Sequence, residues 1–500
     1  MTTTATPAGE TTVPPSRRTR RWIEDWRPED PDFWESTGRQ VARRNLIWSI
    51  FAEHLGFSVW LIWSVSSAFL VATGFDYTPQ QLFLLVALPN LVGSLLRLPY
   101  TFAVPKFGGR NFTMASAALL LIPTLGFAYA VQRPETPYWV FCLIAATAGL
   151  GGGNFASSMA NINFFYPSAK KGAALGLNAA GGNLGVSLIQ LFLPVIVGGA
   201  GIFGLVKASE GGIDLQRAAW VYAGLAVVAT LAAYFFMDNL STATSSPREQ
   251  MKVVRKRQTW IMAFLYIGTF GSFIGYSAAM PLLIKLNFWV PEPAPLGTGI
   301  YFAYFAFLGA LVGSLTRPFG GWLADRLGGA KVTLGAFAAM VVFTLAVLWT
   351  LMQLTPNPTA DPAIASANQS WFPWFLSFFL CVFAATGIGN GSTYKMIPAI
   401  WRTEAERATA PGTPERTAAL LAGTKQASAA IGVIGAVGAI GGFLIPMAFS
   451  APWVADPMSA TKGAFLVFTG FYVICGAVTW AVYLRRPAEV HAQSLAGAGI

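Results

Sequence analysis

The chain has 500 residues, of which 54% are hydrophobic and only 11% are charged, roughly half the charged share that is usual in soluble proteins. With a mean hydropathy of +0.53, it carries too much apolar surface for a water-soluble fold. This composition excludes a soluble enzyme and a soluble nucleic-acid-binding protein. The net charge of +11 must therefore have an origin other than an acidic partner.

The N-terminal tail, residues 1–45, is the first predicted element. Its beginning is rich in Thr, Pro and Arg and has no apolar core, so we expect no cleavable signal peptide. Residues 22–36, WIEDWRPEDPDFWES, place three tryptophans in a short polar stretch, which is typical of a segment at the membrane interface. We expect Trp22, Trp26 and Trp34 to anchor this segment there.

Twelve apolar runs follow, each of about 20 or more residues and long enough to cross ~30 Å of hydrocarbon. They form two groups of six, at residues 46–237 and 260–484, joined by a polar and basic linker at 238–259. A short tail at 485–500 ends the chain. The predicted fold is an all-α membrane protein of twelve transmembrane helices in two pseudo-symmetric six-helix bundles.

The basic residues are distributed unevenly over the predicted loops. Of the 33 Lys and Arg residues, 24 lie in the two tails, the linker and alternate loops, whereas the opposite loops hold five. An excess of Lys and Arg is typical of the cytoplasmic side of membrane proteins. We therefore expect a multi-pass protein with both termini in the cytoplasm, surrounded by the lipid bilayer and with no nucleic-acid partner.

An internal repeat relates the two halves. Residues 91–97 read LVGSLLR and residues 311–317 read LVGSLTR, which agree at six of seven positions at an offset of 220 residues. Parallel repeats of this kind place a substrate site between the halves, near the middle of the membrane. The basic loops PKFGGR (105–110) and ADRLGGAK (324–331) resemble those between the second and third helices of each half of the major facilitator fold.

Four cations lie inside the predicted spans: Arg97, Arg317, Lys395 and Lys425. A charge within a span is costly and marks a functional site by default. Because Arg97 and Arg317 are equivalent in the repeat, we expect them to face each other across a central cavity. Two guanidiniums repel each other unless an anion separates them, and a planar trigonal anion suits their parallel donors. The alternative is that each arginine pairs with carbonyls at a helix C-terminus or with an acidic loop residue.

The spans around this pair are rich in glycine, amide and aromatic side chains. Asn183 can donate an amide hydrogen bond to an anion, and Tyr266 can donate its hydroxyl. Phe155 and Phe270 can cover the two faces of a planar ion. The alternative is that these side chains are ordinary packing of a helix bundle. Two further amides in the same spans are Asn154 and Asn178.

Longer sequence motifs resemble those of the nitrate/nitrite porter family, specifically its NarK-type bacterial members, over nearly the whole length of the chain. They include DWRPEDPDFW (25–34), LLRLPY (95–100), GNFASSMANINFFYP (153–167), TFGSFIGYSA (269–278) and GAIGGFLIP (438–446). The resemblance implies the major facilitator fold and transport of nitrate and nitrite across the cytoplasmic (inner) membrane of a bacterium.

The resemblance also implies roles for particular residues. Two arginines grip the anion, an amide and a hydroxyl hydrogen-bond it, and two phenyl rings cover it. These residues are, in chain order, Arg97, Phe155, Asn183, Tyr266, Phe270 and Arg317. Gly432 lets the eleventh span flex or pack, and Gly153 and Gly182 lie in similar glycine-rich packing surfaces.

Four residues depart from the NarK-type pattern. Glu53 and His54 lie in the first span, where close antiporters of the family look apolar, and Lys395 and Lys425 are additional cations. Embedded carboxylates and histidines build proton relays in transporters, so these four residues are candidates for proton coupling. The alternatives for Glu53 are a salt bridge with one of the lysines, or a position at a helix end that reaches the cytoplasm.

Two modes of transport remain open from the sequence. A doubly cationic site favours exchange of nitrate for nitrite, whereas a protonatable Glu53 allows symport of nitrate with a proton. An anion receptor that never translocates and an anion channel are alternatives of another class. We expect no enzyme activity, because the sequence shows no nucleophile–base pair or metal cluster. We expect no cofactor and no metal, because the three cysteines lack metal-ligand spacing. We expect the protein to function as a monomer.

Overall fold

A computed structural model describes residues 22–201, 212–243, 251–290, 298–356, 362–451, 454, 456–485 and 500. Residues 1–21, most of the C-terminal tail and part of the linker lie outside this set. Twelve helices in the described chain are long and apolar enough to span a membrane, so the predicted fold class is confirmed. They are α1 (Pro31–Thr73), α2 (Pro79–Phe107), α3 (Gly109–Ala130), α4 (Tyr138–Phe165), α5 (Ser168–Ile196), α6 (Leu215–Phe236), α7 (Arg257–Phe288), α8 (Phe302–Leu327), α9 (Gly329–Met352), α10 (Phe372–Arg407), α11 (Pro414–Phe449) and α12 (Pro457–Leu484).

Two short strand pairs and a few short helices complete the described structure. Strand β1 (Trp22–Ile23) runs parallel to β2 (Asn239–Leu240), and β3 (Trp289–Val290) is antiparallel to β4 (Thr298–Gly299). A 3-10 turn (Met251–Arg255) leads into α7, and a helix at Pro362–Ser370 precedes α10. The end of the bundles that carries the residue 238–256 connection is called the linker end below, and the opposite end the distal end.

Several helices begin at side chains that satisfy their first amide groups. Thr78 starts α2 with a capping box, in which its amide donates to the Gln81 side chain (2.9 Å) and its hydroxyl accepts from the Gln81 amide (3.3 Å). Asp456 accepts the Ser459 amide at 2.7 Å before α12. Such caps stabilise helix starts by roughly 1 kcal/mol each.

The internal repeat is visible in the backbone. Gly108 and Gly328, which are 220 positions apart in the sequence, both end a helix with positive φ, at 84° and 93°. A residue with a Cβ rarely adopts this conformation, so glycine is required at both turns. The equivalent glycines of α2 and α8, Gly93 and Gly313, each leave room for an aromatic side chain, because an added Cβ would lie 2.6 Å from atoms of Trp60 and Phe273, respectively.

The N-terminal segment packs against the linker end of the first six helices. Trp26 and Trp34 are only 7% and 4% exposed, and they form a small core with Phe165 and Leu240. The Trp26 indole donates to a backbone carbonyl of α4 at 3.1 Å. The tryptophans therefore bury their surface in protein, which the sequence did not predict. Helix α1 runs through the boundary that we expected at residue 45.

The two bundles are in close contact at the distal end. Gln190 of α5 donates to the Ser277 carbonyl of α7 at 2.6 Å and to the Ser64 hydroxyl of α1 at 2.9 Å. Nearby, the Tyr301 hydroxyl donates to the Gly199 carbonyl at 2.6 Å. The bonds to the Ser277 and Gly199 carbonyls join the first bundle to the second and close the distal end over the centre of the molecule, whereas the bond from Gln190 to Ser64 lies within the first bundle.

Candidate anion-binding site

Arg97 lies on α2 at the centre of the molecule and is 1% exposed. Its Nε donates to the Gly152 carbonyl at 3.2 Å, and its Nη1 donates to the Gly435 carbonyl of the opposite bundle at 3.1 Å. Its Nη2 has no hydrogen-bond partner among the described residues. Two of the three nitrogens thus pair with carbonyls, but these lie within α4 and α11 and not at a helix C-terminus as the alternative required, and one buried donor is left over.

Arg317 lies at the equivalent position of α8 and is 7% exposed. Its Nη1 also lacks a hydrogen-bond partner within the described part of the chain. Among the ion pairs of the described residues, none involves Arg97 or Arg317. The alternative of pairing with an acidic loop residue is therefore not observed among the described residues. Each guanidinium keeps a free donor in a buried place, where an unpaired polar group is costly.

The two predicted phenylalanines lie beside these guanidiniums. The ring centroids of Phe155 and Phe270 are 6.4 Å apart, and the ring planes are inclined by 26°. The Arg97 Cζ is nearly equidistant from them, at 4.8 Å and 4.9 Å, and the Arg317 Cζ is 6.0 Å from the Phe155 ring. The structure thus brings together both arginines and both rings that the sequence indicated.

A local distortion of α7 positions Phe270 and Tyr266. A π-helical turn, Ile267–Gly271, interrupts this span directly after Tyr266. Such turns shift the side chains that follow and occur frequently at functional sites. The Tyr266 ring stacks on Phe270 with centroids 5.3 Å apart and an angle of 16° between planes. Gly438 makes this possible, because a Cβ there would lie 2.4 Å from the Tyr266 ring.

Asn183 lies on α5 and is 1% exposed. Neither its Nδ2 nor its Oδ1 has a hydrogen-bond partner among the residues that the structure describes. It makes no hydrogen bond to either arginine, so it is not joined to the cluster by a direct contact. An unpaired buried amide is nevertheless costly, and this side chain keeps both its donor and its acceptor available.

A cavity of about 80 Å³ leads from Arg97 toward the linker end. It is lined by Phe155 and Met159 of α4, by Pro105 in the last turn of α2 and by Gly432 of α11. A water molecule takes up about 30 Å³ of liquid, so this space accommodates a small ion with one or two waters. The site is closed at the distal end and reachable from the linker end.

The three predicted packing glycines lie at close contacts. Added Cβ atoms would lie 2.7 Å from the Tyr100 ring at Gly153, 2.3 Å from the Glu53 Oε1 at Gly182, and 2.9 Å from the Thr101 hydroxyl at Gly432. The Gly432 contact joins the two bundles. Glycine at these positions lets neighbouring helices approach each other.

Glu53 lies fully buried in α1 and faces α4 and α5. Its Oε2 accepts hydrogen bonds from the Ser158 hydroxyl and from the Asn178 amide, the latter at 2.6 Å. It forms no ion pair with a described residue and lies within α1, so neither alternative, a salt bridge to a lysine or a position at a helix end, is observed. The neighbouring His54 binds the Gly181 carbonyl through Nδ1 at 3.0 Å.

Lys395 and Lys425 lie within the spans α10 and α11, as the sequence predicts, but their side chains are not buried in the protein. Lys395 forms an ion pair with Asp325 near the linker end of α8, at 2.8 Å, and both side chains are about half exposed. Lys425 is also exposed. It precedes Ser428 and Gly432 on one face of α11, and both of these residues line the cavity. Lys425 therefore extends that face toward the mouth of the cavity.

Two aromatic residues at the site were missed by the sequence analysis. The Trp60 ring lies 5.4 Å from the Arg97 Cζ, and the Tyr394 ring lies 5.5 Å from the Arg317 Cζ and lines the cavity. The repeat contains a signal for Tyr394: aligning GNFASSM (153–159) with GNGSTYK (389–395) pairs this residue with Ser158, the partner of Glu53. For Trp60 the sequence offers no comparable signal.

Comparisons with known proteins agree with this architecture. The sequence matches the Major Facilitator Superfamily over residues 54–446. It is 40% identical to the nitrate/nitrite transporter NarU of Escherichia coli, over 94% of this chain and 98% of that protein. It is 37% identical to the probable nitrate/nitrite antiporter NarK2 of Thermus thermophilus, again over 94% and 98%.

A solved structure supports the fold alone. A bacterial homologue of the human lysosomal transporter Spinster superposes with a TM-score of 0.55 at 14% identity, over 89% of this chain and 97% of that one. Because the family match covers most of the chain and the identity to the two curated relatives is high over nearly their whole length, the chain belongs to the major facilitator superfamily and, within it, to the NarK-type family.

Proposed function

We propose that this protein transports nitrate and nitrite across the bacterial cytoplasmic membrane by alternating access. The relatives named above are described as nitrate/nitrite transporters or antiporters. The observation that carries the proposal within this chain is the pair of buried guanidiniums, each with a free donor, beside two nearly parallel phenyl rings.

The charge and shape of this place favour a small planar monoanion. The free Nη2 of Arg97 and Nη1 of Arg317 are donors without partners among the described residues, and an anion between them satisfies both. Atoms in van der Waals contact are about 3.5 Å apart, so a layer one atom thick needs about 7 Å between two rings. The 6.4 Å between Phe155 and Phe270 is close to this value. Tetrahedral sulfate and phosphate are too thick for such a gap.

The direction of opening follows from the charge distribution. Lys and Arg are concentrated in the tails, the linker and the loops on the same side, so we assign the linker end to the cytoplasm. The cavity from Arg97 then faces the cytoplasm, and the distal contacts of Gln190 and Tyr301 close the outer side. A seal on one side of a central site is what a carrier needs, whereas a conducting channel is open on both.

The two guanidiniums alone favour exchange. The empty pair carries a charge of +2, whose repulsion is strong in a site that excludes water. A bound nitrate or nitrite reduces that charge to +1, so the loaded carrier changes its orientation more readily than the empty one. Nitrate carried in one direction and nitrite in the other is the expected outcome of these two charges.

The experiment is nitrate uptake into liposomes that contain the purified protein. We expect uptake to be stimulated several-fold when nitrite is present inside, because each returning carrier is then loaded. A receptor would give no flux at all, and a channel would give flux that is stimulated neither by internal nitrite nor by an inwardly directed proton gradient. Either result contradicts the proposal.

A further inference from the structure

Glu53 is a buried carboxylate that the proposed anion site does not use. It is 0% exposed, and its Oε1 has no hydrogen-bond partner among the described residues. Gly182 leaves the space beside this oxygen, since a Cβ there would be 2.3 Å from Oε1. Side chains of α4 and α5, Ser158 and Asn178, hold the other oxygen. The result is a specific polar pocket for one carboxyl group inside the first bundle.

This pocket adjoins the wall of the anion cavity. Ser158 is followed on α4 by Met159, which lines the cavity together with Phe155. The Asn178 amide that binds Glu53 also lies 3.6 Å from the Met159 sulfur. The hydroxyl of Ser49, one turn before Glu53 on α1, is 3.0 Å from that of Ser158. One layer of side chains therefore separates the carboxyl group from the cavity that leads to Arg97 and Phe155.

We propose that Glu53, held by Ser158 and Asn178, binds and releases the proton that accompanies nitrate in a nitrate/proton symport. This inference rests on the proposed function, since it adds a second substrate to the same carrier. The proton binds to a carboxylate oxygen on the side from which nitrate enters and leaves from the same oxygen after the carrier has reoriented. No bond other than this O–H bond forms or breaks.

The charged groups around Glu53 come from several helices. Arg97 of α2 and Arg317 of α8 act on it electrostatically, and so does the Tyr394 phenol of α10. His54 is adjacent in the chain, but its ring nitrogen is bound to the Gly181 carbonyl of α5. No ion pair forms between Glu53 and any residue that the structure describes. A proton is thus the group that can neutralise the carboxyl group locally, whereas nitrate neutralises the arginines.

A comparison of net charges shows why the proton and the anion travel together. With Glu53 ionised, the empty site of two arginines and one carboxylate carries +1. With nitrate bound and Glu53 protonated, the site again carries +1. During reorientation the carrier passes through a conformation in which the site is closed on both sides. Two states of equal charge have a similar electrostatic energy there, so both the loaded and the empty carrier can reorient. Symport of one nitrate with one proton is then electroneutral.

The same comparison predicts the behaviour of Glu53→Gln. Glutamine imitates the protonated side chain, so the nitrate-loaded variant carries +1 like the loaded protein. The empty variant carries +2 and cannot reset. Removing the titratable group therefore converts a symporter into an exchanger, and it does so without removing a residue of the anion site.

The first test measures proton uptake by the purified, intact protein when nitrate is added in weakly buffered detergent solution. Between about pH 6 and pH 9, we expect a range in which about one proton is taken up per nitrate bound. Glu53→Gln should bind nitrate without taking up a proton. Nitrate binding with no proton uptake by the unmodified protein anywhere in this range overturns the inference, and this arm does not depend on any variant folding.

The second test compares two fluxes in liposomes. Glu53→Gln should lower uptake driven by an inwardly directed proton gradient at least about tenfold, whereas exchange of external nitrate for internal nitrite should stay within about threefold of the unmodified protein. Glu53→Asp should restore part of the gradient-driven uptake. Glu35→Gln, an exposed carboxylate with surface ion pairs, is the matched control and should change neither flux.

The outcomes separate this inference from the proposed function. Gradient-driven uptake by Glu53→Gln at the normal rate overturns the proton site and leaves nitrate transport intact. A loss of both fluxes in Glu53→Gln and Glu53→Asp assigns Glu53 a purely structural role, which also overturns it. Absence of nitrate binding and of both fluxes in the unmodified protein instead contradicts the proposed function itself.

Discussion

Replacing Arg97 by lysine tests the anion site while keeping its charge. Arg97 uses two nitrogens to hold the carbonyls of Gly152 and Gly435, 3.2 Å and 3.1 Å away, and has a third nitrogen free. A lysine ammonium is a single point on a flexible stem. It cannot bind two carbonyls on opposite bundles and also present a donor beside the Phe155 ring.

The expected cost follows from these contacts. A hydrogen bond to a charged group contributes about 1.5–3 kcal/mol, and a buried carbonyl left without its donor costs about 1–3 kcal/mol. The loss of the donor to the anion alone corresponds to a decrease in nitrate affinity of about ten- to a hundredfold. The carbonyl that loses its partner should in addition lower the thermal stability of the nitrate-free protein.

Affinity is best measured as nitrate-dependent thermal stabilisation of the purified variants, together with uptake into liposomes. Arg217→Lys provides the matched control, because Arg217 forms an exposed ion pair with Asp214 at the distal side of α6 and should tolerate the change. A correctly inserted Arg97→Lys protein that binds nitrate as tightly as this control refutes the assignment of the anion site.

Further predictions concern selectivity and the movement of the bundles. Sulfate and phosphate should not compete with nitrate at equal concentrations, whereas nitrite should, and competition by sulfate would contradict a planar site. Gly432→Ala, whose Cβ meets the Thr101 hydroxyl across the bundles at 2.9 Å, should slow transport several-fold. Gly224→Ala, with no atom within 4 Å of its Cβ, should not, and equal rates would remove Gly432 from the mechanism. Gln190→Leu deletes the bond to the Ser277 carbonyl that crosses between the bundles at the distal end, worth about 1 kcal/mol. A cysteine introduced on that side should therefore react about fivefold faster, and unchanged labelling would exclude Gln190 from the seal.

The parts of the fold that the sequence predicts are those governed by the lipid. Spans that cross hydrocarbon must be long and apolar, so all twelve were visible, and the repeat of LVGSLLR identified the equivalent positions of Arg97 and Arg317. The N-terminal tryptophans were different. Tryptophans in a short polar stretch are typical of a membrane interface, yet Trp26 and Trp34 are buried in protein against Phe165 and the connection after α6. Composition does not distinguish burial in protein from burial in headgroups.

The surroundings of the buried charges depend on contacts between distant segments. Arg97 donates a hydrogen bond to the carbonyl of Gly435. This residue is far away in the sequence, and a backbone carbonyl leaves no signal in the residue type. Glu53 is the embedded carboxylate that the sequence indicates, and the alternative of an ion pair with a lysine is not met among the described residues, because Lys395 pairs with Asp325 instead. The sequence alone does not show which acidic residue a lysine reaches in the fold. A charged residue inside a predicted span indicates that it has a partner or a function. Which of the two applies, and which residue is the partner, depends on the folded structure.

A structure of the protein determined with nitrate bound would test the anion site most directly. We expect planar density between the Phe155 and Phe270 rings, within hydrogen-bond distance of guanidinium nitrogens of both Arg97 and Arg317. Nitrate bound elsewhere, for example at Lys425 near the mouth of the cavity, with this gap empty, would contradict this prediction.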